Sequence, residues 1–155
     1  MIDSELLMPV DIDNLRRRDQ NIIKNLTKIS IAHDGAGGAK IASCIVRKNR
    51  VVAYGLNSIK TDPLQGKFGK NPKAVYIHSE ISAIKNSLKE IDVEDFKETT
   101  MFIVRTKKDG SFGLAKPCGN KDHHNCGCIS AIIAFEIPKV IFTSDIHNHV
   151  HIMDF

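Results

Sequence analysis

Two short runs of this chain hold residue types that can serve one metal ion: His78-Ser79-Glu80, then Pro117-Cys118 followed at a distance by Cys128. An imidazole and two thiolates are ligands that zinc accepts, and three protein ligands leave the fourth tetrahedral position to water. Two thiolates balance the charge of a divalent ion, and a neutral His78 completes the set. Glu80 is then a carboxylate left over from ligation, placed to move protons to and from that water. The chemistry these residues spell is hydrolysis by a zinc-activated water. Pro-Cys is the weightier half of the pattern, since five Pro and four Cys in 155 residues produce it by chance only about 0.13 times. The competing assignment is a core histidine, a surface glutamate and buried free thiols.

Such a site makes demands on the backbone. Residues two apart on a regular helix point roughly 200° from each other, so His78 and Glu80 share a pocket most easily at the start of a helix. Helix starts also leave amide N–H groups unpaired, and those of Ser79 and Glu80 can bind a substrate oxygen. Cys128 likewise opens a helical pattern, where the positive end of the helix dipole lowers a thiol's pKa.

The elements around these runs can be read from periodicity. Leu15, Ile22, Ile23, Leu26 and Ile29 recur at helical spacing over residues 13–30, with Asp13 or Asn14 able to cap. Asp34 to Gly38 is a glycine-rich turn without the Gly-Lys-Ser/Thr ending of a phosphate loop. Residues 40–46 and 51–56 are β-rich and joined by Arg47-Lys48-Asn49-Arg50, which predicts a hairpin; Cys44 within it reads as a small buried hydrophobe. A long loop is expected over 57–75. Further on, the pattern predicts a helix over 80–89, a strand over 101–105 and an extension of the strand region over 112–115. A helix over 128–136 and a strand over 140–143 follow. The last strand–helix–strand passage predicts a right-handed parallel crossover. The fold class expected is α/β, a three-layer α/β/α sandwich about a mixed five-stranded sheet.

Composition sets the outer bounds. At 155 residues, 42% apolar and 26% charged, the chain reads as a single domain over 1–155, with 1–11 as a loosely held arm. The longest apolar run, Ala131 to Phe135, is far too short for a membrane span. The acidic start Met1-Ile2-Asp3-Ser4-Glu5 is unlike a secretory signal, so a cytoplasmic location is expected. Three of the four cysteines cluster, which in such a chain favours metal over disulfides. The net charge of +4 is uneven. Lys60, Lys67, Lys70 and Lys73 fall in one stretch, and Arg105, Lys107, Lys108 and Lys116 in another. Either could meet a phosphate-bearing substrate or simply be solvated. Phe68, Tyr76 and Phe112 could stack on a base or fill the core.

The ordered pattern His-x-Glu, then Pro-Cys, then Cys is the known signature of zinc nucleobase deaminases. Over about residues 40–145 the chain resembles the cytidine and deoxycytidylate deaminase family, particularly its bacteriophage members. The resemblance rests on Tyr54-Gly55-Leu56-Asn57, Lys60 to Gln65, Phe68 to Asn71, Ile77 to Glu80, Gly113 to Cys118, Cys128 to Ile132 and Val140 to Asp145. It implies the three-layer deaminase fold, one catalytic zinc held by His78, Cys118 and Cys128, proton transfer by Glu80, and usually a homo-oligomer. It implies that Asn57 hydrogen-bonds the sugar or base; without it Asn57 reads as a turn residue. The implied reaction converts deoxycytidylate to deoxyuridylate with release of ammonia, in the host cytoplasm if the chain is phage-encoded. Backbone N–H groups at Ser79 would hold the pyrimidine carbonyl. Rival expectations are deamination of free cytidine or of a base within a polynucleotide, for which a basic, aromatic groove is sparse here. A rival of another class is a non-catalytic, zinc-stabilised binding protein on the same scaffold.

Two departures from the family pattern stand out. Ser79 occupies a position where Ala is usual. Nine residues separate Cys118 from Cys128 where the family has two, which predicts an inserted loop over 119–127. That insert carries Cys126 beside His123 and His124. Cys126 could replace Cys118 as a ligand. Alternatively, the insert could bind a second, structural zinc with His147, His149 or His151, or hold no metal; the His147 to His151 alternation could equally be a solvated terminal strand.

Overall fold

The computed structural model describes residues 8–34, 39–68, 76–119 and 127–155. Its sheet has seven strands: β1 (Val10–Asp11), β2 (Lys40–Arg47), β3 (Arg50–Leu56), β4 (Thr99–Thr106), β5 (Phe112–Gly113), β6 (Lys139–Thr143) and β7 (His149–Asp154). They lie in the order β1-β7-β6-β4-β2-β3, with β5 on β4. The five longer strands account for the expected sheet. The two additions are two residues each, too short to show a period in the sequence.

β2 and β3 form the expected antiparallel hairpin, with Lys48 and Asn49 at positive φ (50° and 66°) in its turn, as a tight two-residue connection requires. β4 and β6 are the parallel pair, and every other pairing is antiparallel. Val10 and Asp11, assigned to a loose arm, instead pair with Val150 and His149. Residues 1–7 of that arm lie outside the described residues.

Strand alternation divides β2 between two cores. Ala42, Cys44 and Val46 face α1 (Arg17–Ile31), meeting Ile22, Ile23 and Leu26 together with Phe102 and Val104 of β4. Ile45 faces the other way, with Met101, Ile103, Val140 and Phe142. That side is covered by α3 (Ser79–Ser87) and α4 (Gly127–Ala134), with α2 (Pro63–Phe68) beside them. Helices on both faces make the three layers.

Three sequence expectations need correction. The first helix starts at Arg17, not near Asp13, because the Asp11 carboxylate accepts the Asp13 N–H at 2.9 Å. That bond opens a 3-10 turn over Ile12–Asn14, after which Leu15 is extended. The loop expected over 57–75 contains α2: Asp62 caps it by accepting the Leu64 N–H at 2.9 Å, and Pro63 stands first in the helix, where its missing N–H costs nothing. Residues 69–75 of that loop lie outside the described residues. Finally, the terminal histidine alternation is not a solvated strand. β7 is paired on both edges, and buried His151 stacks on Phe142 at 5.3 Å between centroids. Among the described residues no helix is long and apolar enough to cross a membrane.

Candidate functional site

Two helix starts converge on the α3/α4 side of the sheet. α3 comes close because β3 carries Gly55: a Cβ there would lie 2.2 Å from the Ala83 nitrogen and 2.4 Å from the Ser79 oxygen. No side chain fits in that gap. His78 caps α3 in an extended conformation (φ −84°, ψ 157°), so it is off the helical wheel and can face the same way as Glu80. Its backbone N–H donates to Gln65 Oε1 at 2.9 Å. Lys85 pairs with Asp62, which holds the Asp62 carboxyl below its usual range and ties α2 to α3.

The second start is α4. Gly127 has φ +82°, and a Cβ on it would sit 2.4 Å from the Cys118 carbonyl oxygen. Glycine is required twice over, by conformation and by space. The Ile129 N–H donates to that carbonyl at 2.9 Å, and the Cys128 N–H donates to Cys118 Sγ at 3.2 Å. The run before Cys118 is fixed by Ala115, whose N–H donates to the Thr143 carbonyl at 3.0 Å.

His78 Nδ1 lies 3.5 Å from Cys118 Sγ and 3.3 Å from Cys128 Sγ. All three donor atoms fall within 4.8 Å of one another. Tetrahedral zinc with ordinary bond lengths needs ligand separations of roughly 3.5 Å for N–S and 3.8 Å for S–S. The cluster therefore fits such an ion by donor chemistry and by spacing. It is the one group of three potential ligands found among the described residues. His123, His124 and Cys126 lie outside them, as do the alternatives built on them.

The two thiols are unequal. Cys118 is held down at about 4, first by the hydrogen bond from the Cys128 thiol, against its own burial, with His78 and the Cys128 N–H adding to the effect. Cys128 is pushed well up by its bond to Cys118 and by burial. The expectation that α4 would acidify Cys128 is thus corrected. The amide at the helix start points at Cys118 Sγ, and the neighbouring sulfur receives the benefit. Glu80 is only 6% exposed. Burial pushes its carboxyl up, the charge of Cys118 adds to this, and the Ser79 hydroxyl opposes it.

A cavity of about 210 Å³ opens on this group, lined by Ile41, Asn57, His78, Ser79, Glu80, Lys116 and Cys118. Asn57 is held by the edge of β2: its Oδ1 accepts the Ile41 N–H at 3.1 Å, and its Nδ2 donates to the Ala39 carbonyl at 2.8 Å. An amide has two donors and two acceptor lone pairs, so half its capacity remains. A second cavity of about 190 Å³ lies at the start of β2, lined by Ala39, Lys40, Arg105, Thr106, Lys107 and Lys108, and the Lys40 ammonium there donates to the Ile31 carbonyl of α1 at 3.1 Å. Arg105 is the register partner of Ile41, and its side chain lies over Gly113 of β5. Of the other basic stretch, Lys67 lies over the Phe68 ring at 5.5 Å, while Lys70 and Lys73 are outside the described residues.

The three aromatics considered for base stacking do not line the 210 Å³ cavity. Phe68 tilts against Phe135 at 6.5 Å, Phe112 packs on the α1 side, and Tyr76 is exposed. Sequence reasoning gave no role to Ser43 or Gln65, yet both touch the site. The Asp-Pro capping signal could have revealed α2 and with it Gln65.

Residues 16–144 match the family described as cytidine and deoxycytidylate deaminase zinc-binding region. Among solved structures, the deoxycytidylate (dCMP) deaminase of cyanophage S-TIM5, in apo form, is similar with a TM-score of 0.51 and 16% identity, over 84% of this chain and 86% of that one. Acinetobacter baumannii RibD (form 2) aligns with a TM-score of 0.48 and 17% identity, over 83% of this chain and 28% of that one. A Thermotoga maritima diaminohydroxyphosphoribosylaminopyrimidine deaminase/5-amino-6-(5-phosphoribosylamino)uracil reductase gives 0.46 and 20%, over 81% and 28%. The chain thus spans little more than a quarter of those two proteins. No curated protein matches it by sequence. With the family pattern running from α1 to the end of β6, the chain belongs to the cytidine and deoxycytidylate deaminase family.

Proposed function

We propose that this protein is a zinc-dependent hydrolase that removes the amino group of cytosine in a small nucleotide, deoxycytidylate first among the candidates. The observation that carries the reading is the convergence of His78, Cys118 and Cys128 within 4.8 Å, with buried Glu80 on the same cavity. His78 Nδ1 and the two sulfurs would hold the ion. When bound, zinc lowers the pKa of a coordinated water toward neutrality and so supplies a nucleophile at physiological pH.

The remaining steps fall to the protein. Glu80 takes a proton from the attacking water and delivers it to the ring nitrogen, then carries another to the departing ammonia. Burial suits it for this, because a carboxyl whose pKa lies above its ordinary range can hold a proton as well as release one. In this reading the backbone N–H groups at the start of α3 take the pyrimidine carbonyl, and the remaining half of the Asn57 amide takes the sugar. Lys116, which lines the cavity, favours a phosphorylated substrate over a nucleoside. A homo-oligomeric state belongs to the same reading.

An ammonia-release assay tests it, using zinc-loaded protein with cytosine, cytidine, deoxycytidine, their phosphates and a cytosine-bearing oligonucleotide. The expected result is turnover highest on deoxycytidine monophosphate. Preference for the oligonucleotide would replace the substrate class. Silence on every substrate, with zinc bound, would replace the enzyme by a metal-stabilised binding protein.

A further inference from the structure

We propose that Ser43 and Ser79 are positioning residues, a two-hydroxyl chain that fixes the Glu80 carboxylate against the rigid centre of the sheet. The inference rests on Glu80 as the proton carrier and adds what holds it in place. Ser79 Oγ lies 2.8 Å from Glu80 Oε1, and Ser43 Oγ lies 2.6 Å from Ser79 Oγ. Both serines are fully buried.

Proton counting sets the direction of the chain. A carboxylate only accepts, and a hydroxyl has a single hydrogen to give. Ser79 therefore donates to Glu80, and Ser43 must donate to Ser79. Ser43 is clamped on both sides, paired with Gly55 of β3 and Ile103 of β4. The bare Gly55 opposite it is the same residue that admits the start of α3. Strand β2 thus reaches through two hydroxyls to a buried glutamate that also meets the Cys128 thiol. The serine that stands where the family has alanine is the middle link. Mere mutual satisfaction of two buried hydroxyls would not couple them to Glu80, so the coupling is what to measure.

Ser79→Ala, Ser43→Ala and the double variant are compared by steady-state kinetics, metal content and isotope-edited infrared spectra of 13C-glutamate protein. The Glu80 carboxylate band is identified by its loss in Glu80→Gln. Ser79→Ala should lower kcat about tenfold with KM within about twofold and zinc retained, and Ser43→Ala about threefold. The double variant should be no worse than Ser79→Ala, because Ser43 acts only through Ser79. The band should shift in all three, in chelator-treated protein as well as loaded protein. An unshifted band with kcat unchanged in Ser79→Ala would overturn the proposal, as would effects of the two serines that multiply. If Ser79→Ala does not fold, Ser43→Ala decides by the same readouts. Should the wild type release ammonia from no substrate, the functional reading fails, and the band alone judges the hydroxyl chain.

Discussion

Ser43 and Cys44 are neighbours on one strand and look out on different chemistry. On the α1 side, Cys44 sits among Ala42, Val46, Phe102 and Val104, and burial pushes its thiol up to about 12. Ser30 and Thr106, two buried hydroxyls on that side, bond each other at 2.8 Å, and Ser30 also donates to the Lys40 carbonyl at 2.8 Å. On the α3/α4 side, a cysteine of the same intrinsic acidity, Cys118, is held at about 4. The difference lies in how the helices meet the sheet. α1 offers its flank, with Ile22, Ile23 and Leu26 buried. α3 and α4 bury their first turns, bringing helix-start N–H groups, a capping histidine and a carboxylate into the interior. The flank makes an apolar core, and the starts make a polar, titratable one.

The contrast can be broken most sharply at Glu80. Glu80→Gln should lower ammonia release by about a thousandfold or more while zinc stays bound at the wild-type ratio; Cys44→Ala, on the flank side, should change turnover by less than about twofold. Loss of zinc in Cys44→Ala, measured by atomic absorption, would erase the distinction between the faces. Next in size is Gly55→Ala. The new methyl must displace backbone of α3, since its nearest neighbour is the Ala83 nitrogen at 2.2 Å. We expect a loss of about 1–3 kcal/mol in denaturant unfolding, with weakened zinc binding because His78 and Glu80 ride on that helix start. Unchanged metal affinity would show that the starts are held by something other than the sheet.

The smallest effect is one of pH. A thiol whose folded pKa is raised stabilises the fold fully below its unfolded value near 9, and the benefit disappears as pH climbs toward the folded value of about 12. Wild type should therefore lose about 2 kcal/mol more than Cys44→Ala between pH 8 and about pH 10.5. Parallel stability curves for the two proteins would mean that Cys44 is less sheltered than its surroundings imply.

What could be read in advance follows from the range of the forces involved. β2 and β4 were visible as runs of apolar and β-branched residues because both faces of those strands are buried by different partners. The cluster of His78, Cys118 and Cys128 was visible because few residue types can bind zinc, and helix geometry pointed His78 to the start of α3. Gln65 and Ser43 were not legible. Each contributes one hydrogen bond across the fold, and nothing local in a sequence marks a serine whose partner lies 36 residues away. The acidity of Cys118 was missed for a related reason: it comes first from the Cys128 thiol, then from His78 and the Cys128 N–H, and only the folded chain brings these to that sulfur.

Gly127 has one more consequence. A Cβ on it would come within 2.8 Å of the Gly119 Cα as well as meeting the Cys118 carbonyl, so the polypeptide departs from and rejoins the scaffold at practically a single point. The separation of the two sulfurs is set by that pinched neck and not by how many amino acids are threaded between its ends. Cys118-Gly119 and Gly127-Cys128 therefore keep the two sulfurs side by side through contacts of their own.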